Sequence, residues 1–252
     1  MPKLNYKMQK ISEGKMDVNR EKLKSLFKNT PLPEDHLMVN LHLYTRSSVL
    51  AKQLYINELY EKIIDLPGSI FEFGCWYGAN LILFESLRAI YDPYNYTRKV
   101  IGFDTFNGYE GISENDGNGS LIKKGQYSVT EDYSDHLNNL ISYHQKENVL
   151  SQKNKIDIVK GDASKSIVEY LKNNPQTMIS LAYFDMQLYA PTKACLEAIK
   201  PFLVKGAVIA MDEINNEDFP GETIALKEVF GLGNYKIYKS KFLPDRSYMI
   251  YE

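Results

Sequence analysis

The sequence predicts an α/β fold: a mostly parallel sheet with helices on both faces, closed by a C-terminal antiparallel hairpin. Three observations predict it. Strand-like and helix-like segments alternate five times after residue 68, and such alternation implies parallel strands joined by helical crossovers. The strand-like segments are apolar in runs, most clearly Leu181 to Phe184, as strands covered on both faces are. The last two segments, NYKIYKSKF and RSYMIYE, alternate instead and are joined by a short LPD-containing turn, which reads as a hairpin.

The elements follow in order. Residues 1–45 are charged and polar, broken at Pro31 and Pro33; they read as an N-terminal helical arm with a helix near Asn19 to Phe27. Residues 46–252 form the main domain. From Ser47 to Ile64, Leu50, Leu54, Ile56, Leu59, Ile63 and Ile64 keep a roughly helical period. The sequence PGS then breaks the chain. SIFEFG (69–74) is the first strand, followed by a helix from about Gly78 to Ile90. KVIGFD (99–104) is the second, with its helix at about Glu131 to Gln145. KIDIVKGD (155–162) leads to a helix near Ser164 to Leu171, and MISLAYFD (178–185) to one opened by Pro191, whose fixed φ suits a first helical turn. GAVIAMDE (206–213) precedes a helix from about Glu222 to Phe230. Between the second strand and its helix, the glycine-rich stretch at about 108–130 is too long for an ordinary connection and reads as a lid.

Composition excludes several classes of function. A chain of 252 residues, 44% hydrophobic, can bury one sizeable core. A formal charge of −2 offers no basic face for nucleic acid. The 19 tyrosines could stack bases, but they are spread through strands and helices, where they read as core. No apolar run nears the ~20 residues needed to span a bilayer, and the N-terminus lacks the apolar core of a signal peptide, so the expected location is cytoplasmic. Cys75 and Cys195 stand far apart, and His36, His42, His136 and His144 lack metal-ligand spacing.

Ligands of open parallel sheets bind beyond the carboxyl ends of the strands. Here four of the five strands carry acids at that edge: Asp104, Asp162, Asp185, and Asp212 with Glu213. Any one alone reads as a helix cap or turn residue. Together they repel unless a cation or donor-rich ligand compensates them. FEFGCWYGAN adds a strand, a glycine turn and a helix start, with Glu72 just inside the strand and Gly74 and Gly78 after it. The Gly-x-x-x-Gly spacing is neither the dinucleotide fingerprint nor a P-loop. With Asp104 placed for ribose hydroxyls, it suggests an adenosine ligand lacking a pyrophosphate, such as S-adenosylmethionine.

GSIFEFGCWYGA, RKVIGFDTFNGY, VKGDASKSI, FDMQLYAPTKACLEAIKPFLVKGAVIAMDE and FPGETIAL, in that order, resemble the macrocin O-methyltransferase family, and more closely its relatives found with bacterial surface-polysaccharide genes. The resemblance runs from about residue 42 to the C-terminus. It implies the class I methyltransferase (Rossmann-like) fold, a seven-stranded sheet. It implies cofactor roles for Glu72, Gly74 and Gly78, for Asp104 with Thr105 at the ribose, for Asp162 with Ala163 near the adenine, and for Arg46 and Asp185. It also implies a divalent cation held by Asp185, Asp212 and Glu213, an all-oxygen set that selects Mg²⁺ over zinc.

The chain departs from the family at Gln187. Relatives usually read Asp-x-Asp there, the second acid being the proposed general base, and an amide cannot accept that proton. Asp185 and Gln187 are therefore the candidate catalytic residues, with Gln187 bonding the acceptor, or the proton leaving another way from a metal-bound hydroxyl. Glu222 is either a substrate contact or a helix-dipole acid. The leading expectation is an S-adenosylmethionine-dependent, Mg²⁺-assisted O-methyltransferase acting on a nucleotide-activated sugar for capsule or a similar glycan. The alternatives are methylation of a phosphorus-linked oxyanion, such as a capsular phosphoramidate precursor, and a non-catalytic S-adenosylmethionine-binding protein. A homo-oligomer is left open.

Overall fold

The structure, a computed structural model, describes residues 15–252; the arm before Lys15 lies outside the described residues. Helix α1 (Lys15–Lys28) contains the predicted Asn19–Phe27 helix, and α2 (Glu34–Val39) starts directly after Pro33. A 3-10 turn at Leu41–Tyr44 leads to α3 (Ser47–Glu61). On α3, Tyr55, Ile56, Leu59 and Tyr60 are fully buried, the spacing that places one helical face on a sheet.

The sheet has seven strands: β1 (Ser69–Phe73), β2 (Val100–Asp104), β3 (Ile156–Lys160), β4 (Ile179–Phe184), β5 (Leu203–Met211), β6 (Ile237–Lys239) and β7 (Ser247–Ile250). Their order is β3-β2-β1-β4-β5-β7-β6. β1 to β5 pair parallel, and β7 runs antiparallel to both β5 and β6. This is the predicted mostly parallel sheet with its terminal hairpin. The remaining helices are α4 (Ala79–Tyr91), α5 (Tyr133–Glu147), α6 (Ala163–Asn173), α7 (Tyr189–Ile199) and α8 (Gly221–Phe230).

Strand side chains alternate between two cores. Ile70, Val100, Leu181, Val208 and Tyr248 pack with α3, α4 and α5. Phe71, Phe73, Ile101, Phe184 and Ile209 pack with α6, α7 and α8. The rings of Phe103, Phe73 and Phe184 stack across β2, β1 and β4 at 5.0 and 4.7 Å, cross-strand aromatic pairs that fix register. Burial on both faces explains the continuous apolar runs.

Three boundaries differ from expectation. The second-strand helix starts at Tyr133, because Asp132 before it adopts φ 61°, outside helical space. α7 begins two residues before Pro191, which leaves the proline inside the first turn, where its missing N–H has no partner to lose. β5 starts at Leu203 and ends at Met211, so Asp212 and Glu213 sit just past the strand.

Candidate active site

The sheet order places the topological switch at β1, whose neighbours β2 and β4 continue in opposite directions; ligands of such sheets bind at this point. Gly74 follows β1 with φ +86°, and a Cβ there would lie 2.2 Å from the Asp185 carbonyl oxygen. Only glycine lets the ends of β1 and β4 meet this closely. Gly78 (φ +75°) precedes α4, and a Cβ on it would meet Leu137 at 2.6 Å. Between them Trp76 adopts φ 50° and donates its backbone N–H to Asp104 Oδ2 at 2.8 Å.

Glu72 is the outlier among the acids. It is fully buried in β1, and neither carboxylate oxygen has a hydrogen-bond partner. Burial pushes its pKa up to about 8, against a smaller downward pull from the Asn80 amide. Burial is accommodated by keeping the proton, and a cationic donor placed beside Glu72 would favour its ionised form.

The other expected cofactor residues divide. Asp104 accepts N–H bonds from Phe106 (2.6 Å) as well as Trp76, and burial raises its pKa. Thr105 Oγ1 accepts from Asn107 N and donates to the Gly108 carbonyl, shaping the start of the 105–132 segment. Asp162 is exposed and caps α6 through Ser164 N (3.0 Å) and Ser164 Oγ (2.6 Å). Ala163, the first residue of α6, is buried. Arg46, exposed, stands at the N-cap of α3.

Asp185 and Asp212 come together, joined by a residue that sequence reasoning missed. Lys52 of α3 places Nζ 3.1 Å from Asp185 Oδ2 and 3.5 Å from Asp212 Oδ1. Asp212, almost fully buried, also accepts from the Tyr183 hydroxyl (2.5 Å) and from Arg246 Nε (3.0 Å) and Nη2 (2.5 Å). Burial would raise the Asp212 pKa, but the Lys52 and Arg246 charges outweigh it and hold it low. The Asp185 pKa is raised, by burial first and then by the Asp212 charge. Glu213 takes the Asn216 amide at 2.6 Å and is pushed by burial to about 7.

A divalent cation does not fit this arrangement. Its expected place between Asp185 and Asp212 already carries the Lys52 ammonium, and the Asp212 oxygens are bonded to a guanidinium and a phenol. Among the described residues no group of three or more His, Cys, Asp or Glu side chains is disposed to hold a metal ion.

Gln187, at φ 58° and buried, ties the site to the segment above it. Its Nε2 donates to Asp185 Oδ1 at 2.9 Å, and its Oε1 accepts from the Tyr109 hydroxyl. The fully buried Asp116 accepts the N–H of Tyr189, first residue of α7, at 2.5 Å. The 105–132 segment, whose one regular piece is a 3-10 turn at Glu114–Asp116, is thus fastened at both the strand end and the helix. Glu222 stands in the first turn of α8, as a helix-dipole acid would, and does more than that. Its fully buried carboxylate accepts N–H bonds from Met186 (3.0 Å), Gln187 (2.9 Å) and Glu213 (3.1 Å), so it holds two site loops.

The comparisons with known proteins settle the family. The chain is 34% identical to the calicheamicin methyltransferase CalS11, covering 98% of each chain with a TM-score of 0.92. The chain belongs to the class I S-adenosylmethionine-dependent O-methyltransferases. A structure of CalS11 described as apo, and as a TDP-rhamnose 3'-O-methyltransferase, matches at TM-score 0.83 over 95% of this chain and 96% of that one. The O-methyltransferase NovP, at 17% identity, 94% and 97% coverage and TM-score 0.61, shares the fold. No protein-family model and no curated protein matches this methyltransferase.

The residues present fit S-adenosylmethionine. The Glu72 carboxylate, without a hydrogen-bond partner, suits its ammonium group, and the backbone N–H groups at the start of α4 suit its carboxylate end. The Glu72 and Gly74 signals were legible in the sequence. Lys52 had a fainter one, a cation three and four residues before the core positions Tyr55 and Ile56 on the same helical face. Arg246 had none.

Among the described residues no helix is long and apolar enough to cross a membrane.

Proposed function

We propose that this methyltransferase modifies a hydroxyl of a nucleotide-activated sugar destined for a capsule or related surface glycan, as a macrocin-like member of its family. The observation that carries the sugar is the 34% identity, across 98% of both chains, with a protein described as a TDP-rhamnose 3'-O-methyltransferase. The methyltransferase domain is residues 46–252, and the 108–130 stretch is its lid.

S-adenosylmethionine, when bound, supplies an electrophilic methyl group on a sulfonium. The chain's part is placement and proton management. Glu72 and Gly74, with Gly78, Asp104, Thr105, Asp162, Ala163 and Arg46 around the rim, hold the cofactor. Asp185, at the switch point, orients the acceptor hydroxyl and takes its proton. Gln187 cannot take a proton; it fixes the Asp185 carboxylate and, through Tyr109, couples lid closure to that fixing.

A second reading is favoured by the two cations at the acceptor end. Lys52 and Arg246 would also suit an oxygen that is already anionic, so a phosphorus-linked oxyanion is the rival acceptor. Incubation with S-adenosylmethionine and either TDP-sugars or phosphorylated acceptors, followed by mass spectrometry, decides between them. Gain of one methyl by a sugar hydroxyl supports the first reading. Methylation confined to phosphorus-linked oxygen replaces it with the second.

A further inference from the structure

We propose that Lys52 is the resident cation of the acceptor site, standing where the family resemblance places a divalent metal, and that this chain transfers methyl groups without one. The role in catalysis rests on the O-methylation of a hydroxyl proposed above; the absence of metal dependence rests on the placement of the side chains alone.

The ammonium is built into the site from three sides. Its Nζ sits 3.1 Å from Asp185 and 3.5 Å from Asp212, so it bridges the ends of β4 and β5. It stands 6.0 Å from the centre of the Tyr183 ring, whose hydroxyl bonds Asp212. Helix α3 cannot roll it away: Tyr55, Ile56, Leu59 and Tyr60 are fully buried, and the Tyr55 hydroxyl donates to the Ser247 carbonyl at 3.1 Å.

Charge points the same way. Lys52 pairs with Asp185 and Asp212, and Arg246 with Asp212 and Asp245, so each of these three carboxylates already has a cation against it. A dication at this point would have to expel the ammonium or face it within a few ångströms. The third carboxylate of the expected trio is engaged as well, Glu213 accepting from Asn216 at 2.6 Å.

An ammonium has three N–H donors, and the two carboxylates engage at most two. With 30% of the Lys52 side chain exposed, the third is available to an acceptor oxygen. In the transfer, that oxygen's lone pair forms the new O–C bond while the C–S bonding pair stays on sulfur. The hydroxyl proton goes to Asp185 and then to solvent. Lys52 stabilises the negative charge that grows on the oxygen as the proton leaves, the task otherwise assigned to a metal, and is itself neither consumed nor deprotonated.

The test combines a binding measurement with kinetics. Free Mn²⁺ is followed by electron paramagnetic resonance as protein is added, with and without S-adenosylhomocysteine, for wild type, Lys52→Met and Asp185→Asn. The expectation is no saturable Mn²⁺ site in wild type and undiminished turnover in chelator. Lys52→Met should lose at least 100-fold in kcat with S-adenosylhomocysteine affinity within threefold. Lys52→Ala should regain activity with added ethylammonium, which a merely structural lysine would not show. An Mn²⁺ site that appears only in Lys52→Met also supports the proposal.

A stoichiometric Mn²⁺ site in wild type that vanishes in Asp185→Asn overturns it, as does turnover abolished by chelator and restored by Mg²⁺. If the Lys52 variants fail to fold, the wild-type measurements decide alone. If no sugar is methylated, the acceptor reading fails while the resonance experiment still settles the metal question.

Discussion

Replacing Gly74 by alanine should damage the switch point in a way that can be separated from ordinary backbone strain. A non-glycine residue at positive φ costs about 1–2 kcal/mol. At Gly74 the new methyl would also sit 2.2 Å from the Asp185 carbonyl oxygen and 2.7 Å from its carbon, so β1 and β4 must part. Overpacking of this kind adds roughly 1–3 kcal/mol, for about 3–4 in all. Gly125 is the internal control: its φ is +78°, and nothing lies within 4 Å of a Cβ there, so Gly125→Ala incurs the strain alone. For a chain of this size each kcal/mol moves the melting temperature by about 2–4 °C. Gly74→Ala should therefore melt roughly 10 °C below wild type, and Gly125→Ala only about 4 °C below. Calorimetric titration of S-adenosylhomocysteine should show weakened binding for Gly74→Ala and none of that loss for Gly125→Ala. If the two variants melt within 2 °C of each other and bind alike, the close approach of β1 and β4 does not constrain the site and the reasoning fails.

Three further outcomes are expected. An unfolded chain ionises Glu72 near 4.5, whereas the folded chain keeps its proton to about 8, so the folded state binds the extra proton and its stability falls as pH rises across that window. Glu72→Gln should remove up to about 1.4 kcal/mol per pH unit of that slope in denaturant titrations, and should weaken S-adenosylhomocysteine binding by about 10–100-fold through loss of a charged hydrogen bond. Arg246→Met leaves Asp212 buried without its guanidinium and should cost roughly 3–5 kcal/mol, most of it regained in the double variant with Asp212→Asn; an additive double variant in thermal melts would contradict the pairing. Tyr109→Phe removes the bond to Gln187, worth about 1 kcal/mol, and should make the 105–132 segment several-fold more sensitive to limited proteolysis while the melting temperature falls by only about 2–4 °C.

The architecture was readable because each strand is buried on two faces and so writes an uninterrupted apolar run, as in Leu181 to Phe184. The hairpin was readable because β6 and β7 alternate. Helix starts were less so, since a single left-handed residue such as Asp132 ends or begins an element without altering hydrophobic period. Within the site, glycines whose absent Cβ is a steric necessity and acids at strand ends carry local signals, and Glu72, Gly74, Asp104 and Asp185 stand where those signals put them. What could not be read was partnership. Asp162 and Asp185 look alike in the sequence, yet one caps a helix in solvent and the other meets Lys52 from 133 positions away. Whether an acid faces a metal, an ammonium or its own backbone depends on contacts across the fold. Asp212 illustrates this most sharply, because its Arg246 partner arrives from the hairpin turn.

The Glu222 carboxylate, bonded to N–H groups on both the loop after β4 and the loop after β5, has a consequence for how acceptor range can diversify. The two loops bearing Asp185 and Asp212 are riveted together by this side chain, so neither can be reshaped alone without loosening a carboxylate that also holds the other. Variation in acceptor is left to parts outside that rivet, chiefly the 105–132 segment, whose contacts with the site include the Tyr109 hydroxyl and the Asp116 carboxylate. Related chains that keep an acid at this position should therefore differ in lid sequence and length far more than in the geometry of their two carboxylate loops.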